Sequence, residues 1–281
     1  MERITLVAVF YNEAPRLEGY FKNIEGMFHE MVVVDCGSTD GTARICERHG
    51  ATVIRSNLRY FENNIGKAIK AAKNEWLFIL SADERLPPET KEEVLSAPGS
   101  GRADVYTLQR IDYLFSGFAK TGRVDGPSQR LFRKGCIEFQ KEPHSTPKIK
   151  GRVAQLKNVF YHYSFESVSF YLDKVNQYLV HMPGEFKKAG NAKRVSIGER
   201  NLLVGLLFGA HGIRRLLLFP VFQVGNFLFR KRFILEGMNG LLYSLFSGIH
   251  VFLEEAIYMD EKRRKEKGAA LDWRREYPDR K

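Results

Sequence analysis

The sequence predicts an α/β fold with a mostly parallel central sheet, followed by a C-terminal amphipathic helical region. Two observations predict the sheet: short apolar runs rich in β-branched residues recur along the first eighty residues, and helical patterns separate them. A change of composition past Gly184 predicts the helical region. The chain has 281 residues, of which 44% are hydrophobic, so it can bury a large core and a disordered protein is excluded.

The first elements of the sequence are a strand, a helix and a second strand. Ile4 to Phe10 is almost wholly apolar and ends at a polar turn, after which apolar residues recur at helical spacing up to Phe28. Met31 to Val34 forms the second buried strand, which ends at Asp35. Because a right-handed crossover joins such parallel strands, their carboxyl ends should lie at one edge of the sheet.

The turn formers that follow Asp35 should end its strand and begin a short helix. This helix closes at Gly50, where glycine favours a helix C-terminus, and Ala51 to Ile54 reads as a third strand. Glu62 to Lys73 is predicted to be helical. The order of elements therefore continues the alternation that a parallel sheet requires.

A fourth buried strand, Trp76 to Leu80, ends in the turn that carries acidic side chains. Its position predicts that Asp83 lies at the carboxyl edge of the sheet, where open α/β sheets bind ligands. Glu84 is expected to be an acid of a first helical turn that faces solvent.

The motifs at these strand ends resemble those of family 2 glycosyltransferases, in particular the subgroup that extends lipopolysaccharide cores or other envelope glycans. VAVFYNE, VVVDCGSTDGT and EWLFILSADE follow one another in the order and spacing of that family, over roughly Thr5 to Glu89. The resemblance implies a Rossmann-like GT-A fold that binds a nucleotide-diphospho-sugar. It also implies transfer of the sugar to an acceptor with inversion.

The resemblance implies that the loop after the first strand and the acid after the second bind the base and ribose of a UDP- or GDP-linked donor. Asp35 fits this role, because a carboxylate can accept the imide N–H of a uracil or guanine edge. Asp40 is better explained as a turn and capping residue. The expected nucleotide-sugar-binding residues are Phe10, Asn12, Glu13, Asp35, Lys67, Ser81, Ala82 and Arg130.

The family's acidic motif after the fourth strand is usually Asp-x-Asp, and it holds a divalent metal against the diphosphate. Here the motif reads Ser81-Ala82-Asp83-Glu84, so Asp83 is the expected ligand of Mg²⁺ or Mn²⁺. His162, in the family's His-Tyr-Ser ending of a late strand, is the second expected metal residue. The alternative for His162 is a buried structural histidine.

The sequence departs from the family pattern at three positions. Ser81 carries no charge where the first Asp is usual, and Ile65-Gly66 stands where a basic residue and Asn are usual. Lys67, Asn63 or Asn64 could substitute for the latter pair. The third departure is Ser145, which stands where a Glu is expected after His144.

Inverting transfer needs a base that takes the proton of the acceptor hydroxyl. Serine is too weak a base to replace a carboxylate, so Glu142, near His144, is the preferred candidate. Asp125 is a second possibility.

The sequence divides into a glycosyltransferase domain, residues 1–183, and a C-terminal helical region, residues 184–281. Residues 1–95 are the nucleotide-binding half of the first domain and residues 96–183 the acceptor half. From Gly184 onward there are 19 Lys and Arg against 11 Asp and Glu, which places eight of the eleven net positive charges there.

The C-terminal region alternates apolar stretches with basic clusters such as Arg230-Lys231-Arg232. None of the stretches reaches the roughly 20 uninterrupted apolar residues of a spanning helix, so amphipathic helices at a membrane surface are expected. An ordinary helical subdomain or a homo-oligomer interface is the alternative. Nucleic acid is excluded as a partner, because no recognition motif accompanies the basic residues.

Three cysteines without metal-ligand spacing are expected to be reduced thiols, and Met1 is followed by no apolar signal core. Both observations favour the cytoplasmic side of the inner or plasma membrane. The expected acceptor is a lipid-linked or envelope glycan. The rival hypothesis is an impaired family member that binds a nucleotide-sugar or glycan as a membrane scaffold. A nucleotidyltransferase is disfavoured, because no glycine-rich phosphate loop follows the first strand.

Overall fold

The structure, a computed structural model, describes residues 2–58, 61–120, 124–139, 147–173, 175 and 212–266. The described residues fall into two compact units. One unit runs to Tyr113 and resumes from Val124 to Ser164, and the other holds residues 114–120 and those from Phe165 onward. The predicted domain boundary after residue 183 lies outside the described residues.

The first unit is built on one large sheet whose strands follow the order β3-β2-β1-β4-β8-β6-β11-β5. Strands β3, β2, β1 and β4 are parallel, whereas β8 runs antiparallel to both β4 and β6, and β5 antiparallel to β11. The strands among the described residues are β1 Ile4–Phe10, β2 Glu30–Asp35, β3 Thr52–Arg55, β4 Trp76–Ile79, β5 Glu84–Arg85, β6 Val105–Leu114, β7 Gly117–Phe118, β8 Ser128–Arg133, β9 Ile137–Glu138, β10 Lys148–Ile149 and β11 Val153–Phe165.

Three of the first unit's described helices connect its parallel strands, and the fourth stands between β5 and β6. They are α1 Ala14–Asn23, α2 Thr42–Arg48, α3 Phe61–Ala71 and α4 Pro88–Ser96. The predicted α/β class is confirmed, because all four predicted strands form, in a parallel set, with the predicted helices between them.

The sheet is covered on both faces, which explains why its central strands read as continuous apolar runs. In β1, Leu6 packs into one apolar cluster and its neighbour Val7 into the other, and both side chains are fully buried. The same alternation occurs in β4, where Trp76 and Leu77 belong to opposite clusters. A strand buried on both faces has no polar alternation to show in its sequence.

The pairing register brings the carboxyl ends of three strands to one edge. Phe10, the last residue of β1, pairs with Asp35, the last residue of β2. On the other side of β1, Val7 pairs with Ile79 of β4. The segments that follow these three strands therefore lie next to one another.

The expectation for Glu84 is wrong. The helix begins at Pro88, and Glu84 instead lies in the short strand β5, where its side chain is 3% exposed. The two prolines at 87 and 88 delay the helix, since proline suits the first helical position and restricts the residue before it. This delay leaves Glu84 free to pair with β11 instead of starting a helix.

The described part of the second unit contains two longer helices, α5 Ile213–Gly225 and α6 Gly237–Glu266. A π turn, Asn226–Arg230, extends α5, and a 3₁₀ turn, Phe233–Glu236, precedes α6. The sequence predicted short apolar stretches here, but α6 is longer than expected, because the helix continues through the acidic pair at 254 and 255. By length and composition, Phe233–Arg264 could cross a membrane, although 39% of its apolar window is buried and core helices pass the same test.

Candidate active site

Hydrogen bonds join the loop after β1 to the loop after β2. The backbone N–H of Asn12 donates to Ser38 Oγ at 2.9 Å, and the N–H of Thr39 donates to Asn12 Oδ1 at 2.9 Å. The N–H of Glu13 donates to Thr42 Oγ1 at 2.8 Å. Asn12 has a φ of 53°, a conformation that Asn tolerates better than most residues. The predicted residues Asn12 and Glu13 therefore belong to a loop that hydrogen bonds connect to the segment after β2.

Asp40 closes the same connection and confirms its expected capping role. Its Oδ1 accepts hydrogen bonds from the backbone and hydroxyl of Thr42, and its Oδ2 accepts one from the N–H of Ala14. Burial would raise the pKa of Asp40, but these hydrogen bonds lower it below its ordinary value.

Asp35 is the last residue of β2, so it lies where the second of these loops begins, and it is only 1% exposed. Its Oδ2 accepts a hydrogen bond from the N–H of Ser38 at 3.3 Å, and its Oδ1 is buried without a hydrogen-bond partner among the described residues. A buried carboxylate oxygen without a partner is costly, so it favours a ligand that brings an N–H or O–H donor. This fits the donor group that a nucleotide base or ribose supplies.

The positions around the second departure form a polar cluster next to Asp35. The Lys67 ammonium donates to Ser56 Oγ at 2.6 Å and to Asn64 Oδ1 at 3.2 Å. The backbone N–H of Ser56 in turn donates to the carbonyl of Asp35 at 2.8 Å. Of the proposed substitutes, Lys67 and Asn64 therefore both lie in the predicted region, and Asn64 is fully buried.

The structure brings the two predicted metal residues together. His162 of β11 pairs with Glu84 of β5, and this register sets its ring beside the preceding residue, Asp83. The distance from His162 Nε2 to Asp83 Oδ2 is 3.3 Å. Asp83 is also fixed through its backbone, because its carbonyl accepts the N–H of Tyr163 at 2.8 Å.

A chain of buried ionic contacts continues behind His162. Its Nδ1 lies 2.8 Å from Asp112 Oδ1, and the same oxygen lies 2.9 Å from Arg110 Nε. Arg110 reaches onward to Asp125, with 2.7 Å between its NH2 and Oδ2. Arg110 and Asp112 were missed by sequence reasoning, although residues two apart on a strand share a face, which was the available signal.

The neighbouring carboxylates set the charge of His162. Burial would lower its pKa, but the hydrogen bonds to Asp112 and Asp83 raise it from 6.5 to about 9. For Asp112, burial would raise the pKa, but the hydrogen bond from His162 and the charge of Arg110 lower it. His162 is thus cationic near neutral pH when Asp83 is its only Nε2 partner.

The chemistry of Asp83 and His162 suits a divalent ion. A carboxylate oxygen and an imidazole nitrogen converge, and Asp112 fixes the opposite ring nitrogen, as metal-bound histidines commonly require. In the part of the chain that the structure describes, no group of three or more His, Cys, Asp and Glu could hold a metal. Two protein ligands leave positions for phosphate oxygens and water, which is how Mg²⁺ is commonly held.

Glu84 and Arg130 form a buried pair under the acidic motif. Two Arg130 nitrogens donate to the two carboxylate oxygens of Glu84 at 2.7 and 2.9 Å, and the guanidinium lies 4.3 Å from the centre of the Phe160 ring. Glu84 Oε2 also accepts the N–H of Ser81 at 2.7 Å. Arg130, predicted to bind the nucleotide, therefore holds the turn that carries Ser81 and Asp83.

The remaining predicted residues take varied positions. Phe10 and Ala82 are buried in the apolar core, each with a side chain 2% exposed. The Asp125 side chain is 62% exposed. The predicted catalytic residues Glu142 and His144, and Ser145 beside them, lie outside the described residues.

Comparison with known proteins identifies the family of this chain. The family Glycosyl transferase family 2 matches residues 5–163, which is more than half of the chain and spans every predicted motif. The chain belongs to glycosyltransferase family 2. It is therefore an enzyme that uses a nucleotide-sugar donor.

Individual proteins resemble this family 2 glycosyltransferase at lower levels of identity. An uncharacterised glycosyltransferase of Rickettsia felis is 27% identical over 233 residues, which cover 78% of this chain and 82% of that protein. The glycosyltransferase SunS of Bacillus subtilis is 27% identical over 153 residues, 51% of this chain and 34% of SunS. The crystal structure of S. aureus TarS 1–349 with UDP-GlcNAc aligns with a TM-score of 0.47 and 16% identity, covering 92% of each chain.

Proposed function

We propose that this glycosyltransferase moves a sugar from a UDP- or GDP-linked donor to a lipid-linked or envelope glycan, with inversion and with a divalent metal. We further propose that it acts at the cytoplasmic side of the inner or plasma membrane. The observation that carries the proposal is the convergence of Asp83 and His162 at 3.3 Å. Asp83 follows the strand edge that also carries Asp35, and the pairing of β11 with β5 brings His162 next to it.

In this proposal the donor's base and ribose bind between the loops after β1 and β2. The unpartnered Oδ1 of Asp35 accepts a donor hydrogen from the base. Asn12 and Glu13 line the same slot, and Lys67 adds a positive charge close to it. The preorganised loops orient the nucleotide so that its diphosphate extends toward Asp83.

Asp83 and His162 would hold Mg²⁺ or Mn²⁺ through a carboxylate oxygen and Nε2. Such an ion supplies charge neutralisation for a departing nucleoside diphosphate. Asp112 keeps the proton on Nδ1 of His162, so Nε2 faces Asp83. Ser81 offers a hydroxyl but no negative charge at the edge of this site. Because only two protein ligands then hold the metal, its affinity depends on the bound diphosphate.

Inversion requires one carboxylate base on the acceptor side of the sugar. We propose Glu142, near His144, for this role. Asp125 is the alternative, and its exposed carboxylate is held by Arg110 at 2.7 Å. Substituting each residue in turn by the matching amide, with transfer as the readout, distinguishes the two.

The metal proposal is tested with Asp83→Asn. We expect turnover of the donor in Mn²⁺-containing buffer to fall by about a hundredfold or more, because one of two protein ligands loses its charge. Release of free UDP or GDP from a panel of UDP- and GDP-sugars is the measurement. Glu92→Gln, which removes one exposed carboxylate elsewhere, is the matched control. Full activity of Asp83→Asn would remove the metal role.

The competing scaffold hypothesis predicts donor binding without turnover. Calorimetry with UDP- and GDP-sugars and Mn²⁺, followed by assay of nucleotide release on candidate acceptors, separates the two functions. Binding without release on every acceptor, with no effect of added metal, supports the scaffold. The anomeric configuration of a transferred sugar, read by NMR, tests inversion.

A further inference from the structure

Helices α5 and α6 bury an ion pair among apolar side chains such as Phe219, and they expose many large apolar side chains. Arg215 and Glu255 face each other between them, with 3.2 Å between Nε and Oε2, and both side chains are only 3% exposed. The N–H of Gly212 donates to Glu255 at 2.8 Å. Gln223 and Ser244 are buried as well. In a water-soluble pair of helices, side chains of these types usually lie on the surface.

The outer faces of the two helices carry many large apolar side chains. Val221 is 71% exposed, and on α6 the exposed side chains recur at helical spacing along one stripe. The exposed apolar residues of this segment are Ile213, Leu217, Leu218, Val221, Phe222, Phe229, Ile234, Leu235, Met238, Leu241, Leu245, Ile249 and Phe252. This far exceeds the scattered apolar residues that a soluble surface normally shows.

Before the acidic end of α6, the exposed charges of the helix pair have one sign. Between Ile213 and Leu253, the exposed charged residues are Arg214, Arg230 and Arg232. The one acid of this stretch, Glu236, is half-buried and accepts the backbone N–H of Lys120 at 2.8 Å. The arginines stand near the two ends of α5 and its π turn, so they flank the apolar face at both ends. This pattern complements anionic lipid headgroups bordering acyl chains.

We propose that the α5–α6 pair inserts into the hydrocarbon region of an anionic lipid bilayer. In hydrocarbon, ionisable side chains pair with one another inside a helix bundle while apolar side chains face lipid, which is the arrangement of Arg215 and Glu255. The segment Ile213–Arg230 is about 27 Å long, close to the thickness of a hydrocarbon core. The inference rests on the proposed membrane association and replaces contact with headgroups by insertion among acyl chains.

The two helices approach each other closely at Gly248, as helices embedded in lipid commonly do at small residues. A Cβ on Gly248 would lie 2.6 Å from Val224 Cγ2 and 3.0 Å from the Pro220 carbonyl. Small residues let backbones approach closely where no hydrophobic effect drives helices together. The pair therefore has internal contacts that do not depend on water.

Depth-dependent quenching tests the insertion. In the full-length protein with Cys136→Ser, Val221→Cys and Leu245→Cys are each labelled with an environment-sensitive fluorophore, and Glu18→Cys in the first unit is the control. The protein is mixed with vesicles of phosphatidylcholine and phosphatidylglycerol that carry quenchers at shallow or deep acyl positions. We expect the deep quencher to act more strongly at 221 and 245 and not at 18. Quenching by the shallow lipid alone would overturn insertion, and so would concentration-dependent dimers without vesicle binding.

Charge substitution supplies a second, independent test. Val221→Glu with Leu245→Glu should reduce the fraction bound to these vesicles in flotation by roughly tenfold or more, because a carboxylate is costly among acyl chains. Val153→Glu, at a 52% exposed apolar residue of the first unit, is the matched control and should float normally. Equal flotation of both variants would overturn the inference.

The chemistry is scored separately by donor turnover. A protein that inserts without turning over a donor contradicts the transferase chemistry alone, and the insertion stands. Full transfer to acceptor by a protein that never enters vesicles would overturn the insertion and leave the chemistry standing.

Discussion

At the scale of single residues, Asp83 and His162 form a pair in which neighbouring carboxylates set the charge of the histidine. The sequence predicted Asp83 and His162, and the structure places them together at 3.3 Å. The sequence did not predict the role of Asp112, because a strand residue buried behind a histidine belongs to no recognisable motif. Nor did the sequence predict that Arg130 would pair with Glu84, since Arg130 was predicted to bind the nucleotide and Glu84 to face solvent.

Asp112 is expected to be essential for stability. Asp112→Ala leaves the cationic His162 and Arg110 buried side by side, so the free energy of unfolding should fall by about 3–5 kcal/mol. Urea denaturation near neutral pH with EDTA is the measurement. Glu92→Ala, at an exposed acid, should change stability little.

The same variant has a pH dependence with a definite sign. Because the folded pKa of His162 is raised from 6.5 to about 9, its pairing with carboxylates contributes fully below the lower value. The contribution is lost as the pH rises through the higher value. The stability difference between wild type and Asp112→Ala should therefore shrink above pH 9, and a constant difference would contradict the assignment.

At the scale of elements, the parallel half of the sheet was predictable, whereas the shortest antiparallel strands were not. Strands β1, β2 and β4 are continuous apolar runs, buried on both faces, and their order follows from crossover connections. Strands β5 and β9 have only two residues each, too few for a local pattern to indicate, and β5 is fixed by β11, which lies far along the chain. The full length of α6 was likewise hidden, because its charged residues read as a boundary.

Gly151 tests the connection between β10 and β11. Its φ is +97°, and a Cβ there would lie 2.8 Å from Asp104 Oδ2, which accepts the N–H of Arg152. Gly151→Ala should lower the free energy of unfolding by about 1–3 kcal/mol. Gly99→Ala, where nothing lies within 4 Å and φ is ordinary, serves as control. Equal stability of the two variants in thermal denaturation would contradict the strained contact.

At the scale of the whole molecule, composition anticipated two different chemistries in one chain. The first part of the chain, which carries little of the net charge, forms one compact unit, and the basic later part contains the pair of helices α5 and α6. All three cysteines are free in the structure, and their reduced state stays a prediction. What composition could not show was that the polar residues of α5 and α6 face inward, because their spacing alone suits either direction.

The thiols should differ in reactivity according to burial. Burial and the charge of Asp35 raise the pKa of Cys36 to about 11 and that of Cys46 to about 12, and both are buried. Cys136 is half-buried, so iodoacetamide at mildly alkaline pH should modify it first. Peptide mass mapping follows the order of modification. Denatured protein, in which all three should react alike, is the control, and early modification of Cys46 would contradict the burial.

The hydrogen bonds between the loops after β1 and β2 have a consequence for the thermodynamics of donor binding. Asn12, Ser38, Thr39, Asp40 and Thr42 hold both loops in place without a nucleotide. A ligand that binds between them does not need to order the backbone, whose ordering costs about 1–2 kcal/mol per residue. The interaction energy of the base is thus retained as affinity, and discrimination among bases falls to the few donors and acceptors that the rigid slot presents.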